Sequence, residues 1–210
     1  AIQGNALDKL EALCAGCESP ASGSVLFDGK PIPAARSELV RSGRLSYLPT
    51  KRDSLALSIR SPAWENLLAK TLQNFKPLDY ARGKGPKKSA QALAEQWQIH
   101  GQLNAPVSAL SGGNRQRLLA VRELAGLPQL VVAANPAQGL DPEARQLLWA
   151  RLGEARDRGA AVLLLSHDPS DLAELADRAF ILYRGRLVGI NPADLNGPSL
   201  SALLTGAKSE

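Results

Sequence analysis

The chain has 210 residues, 44% of them hydrophobic, and its 25 basic and 20 acidic side chains give a formal net charge of +5. This composition excludes a disordered polypeptide and suffices to bury a core without disulfides or a structural metal. The longest aliphatic runs, such as 162–165 and 130–134, are far too short to cross a bilayer.

Two cysteines, Cys14 and Cys17, cannot form a disulfide framework, and the residues from Ala1 do not read as a secretory leader, so a reducing, cytosolic setting is expected. The sequence contains no Met and opens abruptly at Ala1-Ile2-Gln3-Gly4-Asn5. The expectation is a piece of a longer polypeptide.

Gly4 and Asn5 lead into Leu7, Leu10, Leu13 and Cys14, whose spacing places apolar groups on one face and predicts a helix over about 6–15. Pro20 to Gly23 is turn chemistry, and Ser24 to Phe27 before Asp28-Gly29 reads as a strand entering a tight turn. A short strand is predicted over Arg44 to Leu48, closed by Pro49. From Ser61 to Ile99 the pattern turns helical and more polar, with Trp64, Leu67 and Leu68 on one segment and Ala90, Leu93, Ala94 and Trp97 on another. Trp64, Trp97 and Trp149 fall at helical core spacings and are assigned to packing. The basic run from Arg82 to Lys88 contains no aromatic residue on which a base could stack, so it reads as a solvated loop between helices and no nucleic acid is expected.

After Ser111-Gly112-Gly113 comes a cationic amphipathic helix, with Leu118, Val121 and Leu124 or Ala125 inward and Arg115, Arg117 and Arg122 mostly outward. Leu130 to Ala134 and Ala160 to Leu165 are continuous apolar runs, as expected of parallel strands covered on both faces. Asp141-Pro142 and Asp168-Pro169 are helix starts, each a capping carboxylate followed by Pro at the first helical position. Ala179 to Tyr183 with Arg184-Gly185 begins a hairpin. The alternation over 129–183 predicts an α/β architecture with a parallel sheet.

The sharpest local feature is Leu110-Ser111-Gly112-Gly113-Asn114-Arg115-Gln116-Arg117. Two glycines let the backbone approach a phosphate, Ser111 adds a hydroxyl donor, and the helix starting here points its free N–H groups at the same spot. Taken alone, Ser-Gly-Gly is also an ordinary turn before a helix. The full stretch resembles the signature motif of ATP-binding cassette ATPases. Further resemblances follow in the family's order. Ser22 to Ile32 resembles the strand and turn after the nucleotide-binding helix, and Ala133-Ala134-Asn135-Pro136 with Gly139, Leu140 and Asp141 resembles the second nucleotide strand and its D-loop. Leu165 to Asp168 resembles the switch-histidine segment, and Asp177 to Arg186 the closing hairpin. The combination is most similar to the second cassette of tandem-cassette importers for simple sugars and nucleosides.

The resemblance implies a P-loop NTPase (RecA-like) α/β cassette as one domain over 1–210. Its core would be 1–50 and 108–190, with an inserted helical lobe over about 54–107 and a tail over 191–210. The N-terminal strands would be lacking, so that the sheet edge near Leu45 to Leu48 and Leu130 to Ala134 is exposed or covered by unusual contacts. It implies ATP and Mg2+ as cofactors, and as partners a second cassette, integral-membrane permease subunits and, indirectly, a solute receptor. The chain would sit peripherally at the cytoplasmic face of the membrane.

Departures from the family pattern bear on activity. A phosphate loop needs a second glycine and a Lys-Ser pair, which the stretch from Gly4 and Asn5 to Lys9 lacks. The pair that should be Asp-Glu, holding magnesium and polarising water, is Ala134-Asn135, and Thr50 stands where Gln or Glu would sense the metal. The site built from the chain's own loops is therefore expected to be inactive. Ser111, Gly112, Gly113, Asn114 and Gln116 would serve a partner's ATP in trans. His167 reads either as a packed loop residue or, within the cassette, as a catalytic group near the terminal phosphate. Cys14-Ala-Gly-Cys17 has redox-motif spacing, but its place at a helix end favours two idle thiols. The alternative functions are a non-catalytic scaffold cassette and a soluble cassette ATPase acting on nucleic acid.

Overall fold

The computed structural model describes residues 3–76, 84–99 and 102–195. Arg82 and Gly83 of the basic run and the tail beyond 195 lie outside the described residues, while the rest of that run, from Lys84 to Lys88, opens a helix instead of the expected loop.

Helix α1 (Gln3–Cys14) starts earlier than its apolar spacing suggests, so Gly4 and Asn5 lie in its first turn rather than in a loop ahead of it. It closes with Gly16 at φ +68, where the N–H of Cys17 reaches the Ala12 carbonyl at 2.8 Å and that of Gly16 reaches Leu13 at 3.1 Å. A Cβ at Gly16 would stand 2.4 Å from Ile32 Cγ2, so close packing as well as φ demands glycine there. The expected strand at 24–27 is reduced to β1 (Leu26–Phe27), paired antiparallel with β2 (Lys30–Pro31), and α2 (Ile32–Arg41) follows at once.

The chain then enters β3 (Leu45–Leu48), and continues through α3 (Arg52–Leu55), α4 (Ala63–Leu68), α5 (Lys84–Gln96) and α6 (Gly112–Leu124). The second half alternates β4 (Leu130–Ala134), α7 (Pro142–Asp157), β5 (Ala161–Leu165) and α8 (Pro169–Leu175), and ends in the hairpin β6 (Ala179–Tyr183) and β7 (Arg186–Ile190). Strands β3, β4 and β5 form one parallel sheet in that order, with Leu45 opposite Leu130 and Ala134 opposite Leu165.

The pleat sorts the sheet residues into two layers. Leu45 and Val132 pack with Ala15 and Leu39 on one side, while Leu48, Val131 and Ala133 join Leu118, Val121, Leu148 and Trp149 on the other. Strand β4 is central, and β3 and β5 are the two edges; Leu45 and Leu48 of β3 are buried, so the more exposed edge is β5. There Ala161 and Leu163 are exposed, Leu163 by 37%, so this strand is not covered on both faces as its apolar run suggests.

Residues 59–64 and 103–108 are stitched together by backbone bonds: Ala63 N–H to Ala105, Trp64 N–H to Leu103, Val107 N–H to Ser61 and Ser108 N–H to Ile59, all between 2.8 and 3.0 Å. Helix α4 packs on both α5 and α6, and Trp64, Leu67, Ala94 and Trp97 share one hydrophobic cluster with Leu118 and Val121. A buried ionic knot adds to this. Glu123 accepts from Lys70 Nζ at 2.5 Å, from Arg122 Nε at 2.9 Å and from the Tyr47 N–H at 2.9 Å, and its own carbonyl accepts from Ser46 Oγ. Arg122, expected to face outward, instead lies nearly buried, and it also bonds the Ala56 carbonyl at 2.8 Å.

Candidate functional site

Two groups of the residues singled out above come together at separate places. The first gathers around Asn135, directly after β4. Its backbone adopts φ +44, a left-handed conformation that Asn tolerates better than most residues. Its side-chain Nδ2 donates to Thr50 Oγ1 at 3.1 Å, its Oδ1 accepts from the His167 backbone N–H at 3.0 Å, and its own N–H donates to the Leu165 carbonyl at 2.7 Å. Ala134 beside it is buried. One neutral carboxamide thus joins the ends of all three parallel strands.

Helix α1 is attached to the same corner by carboxylates. Glu11, buried in α1, accepts from the Tyr47 hydroxyl at 2.6 Å and from the Thr50 N–H at 3.2 Å, and Asp8 pairs with Lys51 at 3.0 Å. Burial, reinforced by the bond to Glu11, pushes the Tyr47 phenol well above its ordinary range. Lys9 ion-pairs with Glu18. Among the described residues no three His, Cys, Asp or Glu side chains gather as metal ligands. Ala134 and Asn135 do not fit magnesium, since they offer a methyl and an amide already engaged on both sides. Cys14 and Cys17 are free thiols, the first pushed up in pKa by burial.

The second group lies at the start of α6. Ser111 is the N-cap, at φ −60 and ψ 159, and its Oγ accepts from the Asn114 N–H at 3.2 Å. Ser111 and Gly112 are exposed, and the N–H groups of Gly112 and Gly113 precede the first intrahelical bond, from Arg115 to the Ser111 carbonyl. No acidic residue stands in the first turn. The donor set, a hydroxyl and two free N–H groups at a positive helix end, fits a phosphate.

Helix α6 is latched to the loop after Asn135 at three points. Gln116 donates to the Pro136 carbonyl at 2.6 Å, a Cβ at Gly113 would lie 3.4 Å from the Gly139 carbonyl, and Arg117 pairs with Asp141 at 2.7 Å. Gln116 is 1% exposed, so its side chain belongs to the interior, not to the face that Ser111 presents. This corrects its place among the nucleotide-facing residues, and Arg117, 12% exposed, is likewise less outward than its periodicity suggests. Gly139 has φ +79, Leu140 packs on the main core, and Asp141 caps α7 by accepting from the Ala144 N–H at 2.8 Å. That bond, with Arg117 nearby, holds the Asp141 carboxyl below its usual range. An open cleft of about 560 Å³ runs between Ser111, Gly113, Asn114, Arg117, Asp141 and Glu143.

Sequence reasoning passed over Arg52. Its Nη2 lies 3.5 Å from where a Cβ on Gly112 would be and 4.0 Å from one on Gly139. Its place two residues past Thr50, at the first position of α3, was the only available signal.

Residues 10–138 match the family model described as ABC transporter. The chain is 29% identical over 213 residues to the guanosine import ATP-binding protein NupO of Bacillus subtilis, covering 98% of this chain and 41% of that protein. It is 28% identical over 214 residues to the nucleoside import ATP-binding protein NupA of Lactococcus lactis, with the same two shares. Against the ribose import ATP-binding protein RbsA of Yersinia pestis it is 24% identical over 212 residues, again 98% and 41%. The chain thus spans about two fifths of the length of these relatives.

Proposed function

The chain belongs to the ABC transporter family, and from that premise we propose that it is one ATP-binding cassette of an importer for a small solute of the nucleoside or sugar class. It lends its signature face to ATP held by a second cassette, while its own nucleotide site is non-hydrolytic. Import by relatives named for guanosine, nucleosides and ribose supports the solute class. In this reading residues 54–107 are an inserted helical lobe, entered and left through the paired segments 59–64 and 103–108. Permease subunits dock on the cassette from the membrane, and the receptor acts through them. The cassette attaches peripherally at the cytoplasmic face; no helix among the described residues is long and apolar enough to cross a membrane.

The observation that carries the reading is the asymmetry between the two sites. At α6 the Ser111 oxygen accepts from Asn114, which leaves its O–H free to donate outward beside the N–H groups of Gly112 and Gly113. These groups bind and orient a terminal phosphate. Bound ATP supplies the scissile phosphoanhydride, and Mg2+ supplies charge neutralisation from the partner's side. At the other corner the carboxamide of Asn135 joins Thr50 to His167, and the nearest carboxylate, Glu11, is already engaged by the Tyr47 hydroxyl and the Thr50 N–H, so in this reading that site polarises no water. There His167 is a loop residue held by its backbone.

The test is ATPase rate and solute uptake of the two-cassette assembly carrying Ser111→Arg. A bulky cation at the cap blocks closure and removes the hydroxyl, and both rates should fall roughly 10²-fold or more. Unchanged rates would leave the chain a scaffold. The isolated chain should turn over ATP negligibly; magnesium-dependent hydrolysis at the rate of an intact cassette would remove the inactive-site part of the proposal.

A further inference from the structure

We propose that Arg52 is a further phosphate-binding residue of the composite site, a guanidinium placed beside the signature glycines for the terminal phosphate of ATP held by the partner cassette. The proposal rests on the composite-site reading above.

The guanidinium lies against two turns that the reading brings to that nucleotide, with Nη2 over Gly112 and Gly139. Its side chain is 20% exposed and its Nε is closed off from solvent with no hydrogen-bond partner. Among the described residues Arg52 makes no side-chain hydrogen bond. Its neighbours differ. Arg115 holds the Leu110 and Ser108 carbonyls and the Asp53 carboxylate, Arg117 holds the Gln98 carbonyl and Asp141, and Arg122 holds Ala56 and Glu123.

Competition for Asp53 explains the difference. Arg115 takes that carboxylate at 2.7 Å and leaves Arg52 Nε 4.0 Å from it. The Nε donor is buried and unfilled and the nearest carboxylate oxygen is 4.0 Å away, which leaves the guanidinium poorly compensated, and the positive end of α6 beside it adds to this. An anion there removes both penalties. A phosphate has enough oxygens to accept from the guanidinium fork, the Ser111 hydroxyl and the two glycine N–H groups together. Even a Cβ at Gly112 or Gly139 would lie within ordinary contact of the guanidinium, 3.5 and 4.0 Å from Nη2, which marks how near it stands to both turns.

The experiment measures kcat and KM for ATP, and inhibition by vanadate with Mg-ADP, on the two-cassette assembly with Arg52→Gln and Arg52→Lys, with melting temperatures alongside. Arg52→Gln should lower kcat roughly 10²-fold, the effect of losing one preorganised donor, and weaken vanadate inhibition, with the melting temperature and KM nearly unchanged. Arg52→Lys should recover part of the loss by keeping the charge. Wild-type kcat and vanadate inhibition in Arg52→Gln would overturn the proposal, as would a loss of rate that follows a loss of folded protein. Ser111→Arg in the same assembly separates the two ideas. If it abolishes turnover while Arg52→Gln does not, the composite site stands and Arg52 has no part in it; if Ser111→Arg is silent, both fall.

Discussion

The backbone N–H of His167 donates to the side-chain oxygen of Asn135 at 3.0 Å, across 32 residues of sequence. The same amide's nitrogen reaches Thr50, so three loops that follow three parallel strands are held by one side chain in a left-handed backbone conformation. Asn135→Ala removes both bonds and puts a Cβ-only residue at φ +44. The expected cost is about 2 kcal/mol, from roughly 1 kcal/mol per bond and a similar backbone strain, less relief by solvent at the exposed His167. Asn135→Asp keeps an acceptor for His167 and can accept from the Thr50 hydroxyl, so it should be nearly neutral. Denaturant melts of the two variants check this, and equal destabilisation by both would contradict the bridge.

Asn135→Glu alone should not create hydrolysis. The neighbouring Ala134 still offers no metal ligand, Glu11 is engaged by Tyr47 and Thr50, and among the described residues no three His, Cys, Asp or Glu gather as ligands. Single-turnover measurement with Mg-ATP on the isolated variant is the check; a burst of phosphate at the rate of an intact cassette would mean that the strand carries different chemistry.

Ser111 has two roles that one substitution can separate. As N-cap, Ser111→Ala should cost about 1 kcal/mol of stability. Ser111→Asp keeps a capping oxygen and adds a negative charge that the helix end favours, so it should be at least as stable as wild type. In the assembly it should nevertheless reduce turnover, since its charge repels the phosphate that the hydroxyl would meet. A stable and fully active Ser111→Asp would contradict phosphate binding at α6.

Gln116 is fully buried, with one bond to the Pro136 carbonyl and an Oε1 that has no partner. Gln116→Met fills similar volume and removes the orphaned acceptor, at the loss of one hydrogen bond, and should change stability by about 1 kcal/mol or less. Gln116→Ala opens a cavity and should cost about 2–4 kcal/mol. Thermal melts that rank the two in the reverse order would place the side chain elsewhere.

Asp141 and Asp168 both cap helices, and both carboxyls titrate below their ordinary value. The Ala144 N–H is the first cause for Asp141, and the Ser170 hydroxyl for Asp168. A depressed folded pKa contributes stability that is fully present above the unfolded value of about 3.9 and is lost as pH falls through the folded value. Denaturation midpoints should therefore show no slope from these groups at neutral pH and a fall in the acid limb. Asp141→Asn should flatten part of that limb while retaining a cap, and an unchanged acid limb would argue against the assignment.

Much of this arrangement was legible in the residues themselves. The run Leu130 to Ala134, the Asp-Pro helix starts and the Arg184-Gly185 hairpin carry local chemistry strong enough to survive folding, and each was found where expected. What escaped depends on distant partners. Nothing near Ala160 to Leu165 says that its strand lies at the more exposed edge of the sheet, because an apolar run reads alike at the centre and the edge. Gln116 turns inward because a proline carbonyl 20 residues away receives it, and Arg122 because Ala56 and Glu123 do. The place of Arg52 against Gly112 and Gly139, 60 and 87 positions along the chain, likewise exists only once the intervening residues have folded.

The knot of Lys70, Glu123, Arg122 and Ser46 at the far end of α6 bears on how force passes through the molecule. Glu123 and Ser111 are 12 residues apart in the sequence, about 18 Å along a rigid rod at 1.5 Å per residue. Lys70 shares the buried Glu123 carboxylate with Arg122 and the Tyr47 N–H, so the chain just after α4 is tied directly to the C-terminal end of α6. A tilt of about 5° about the knot would carry Ser111 roughly 1.5 Å, given that helix rise. Misplacement of about 1 Å can cost 10²-fold in a reacting geometry, so in the composite-site reading the ionic knot at one end of this helix helps to set where the cap at the other end stands.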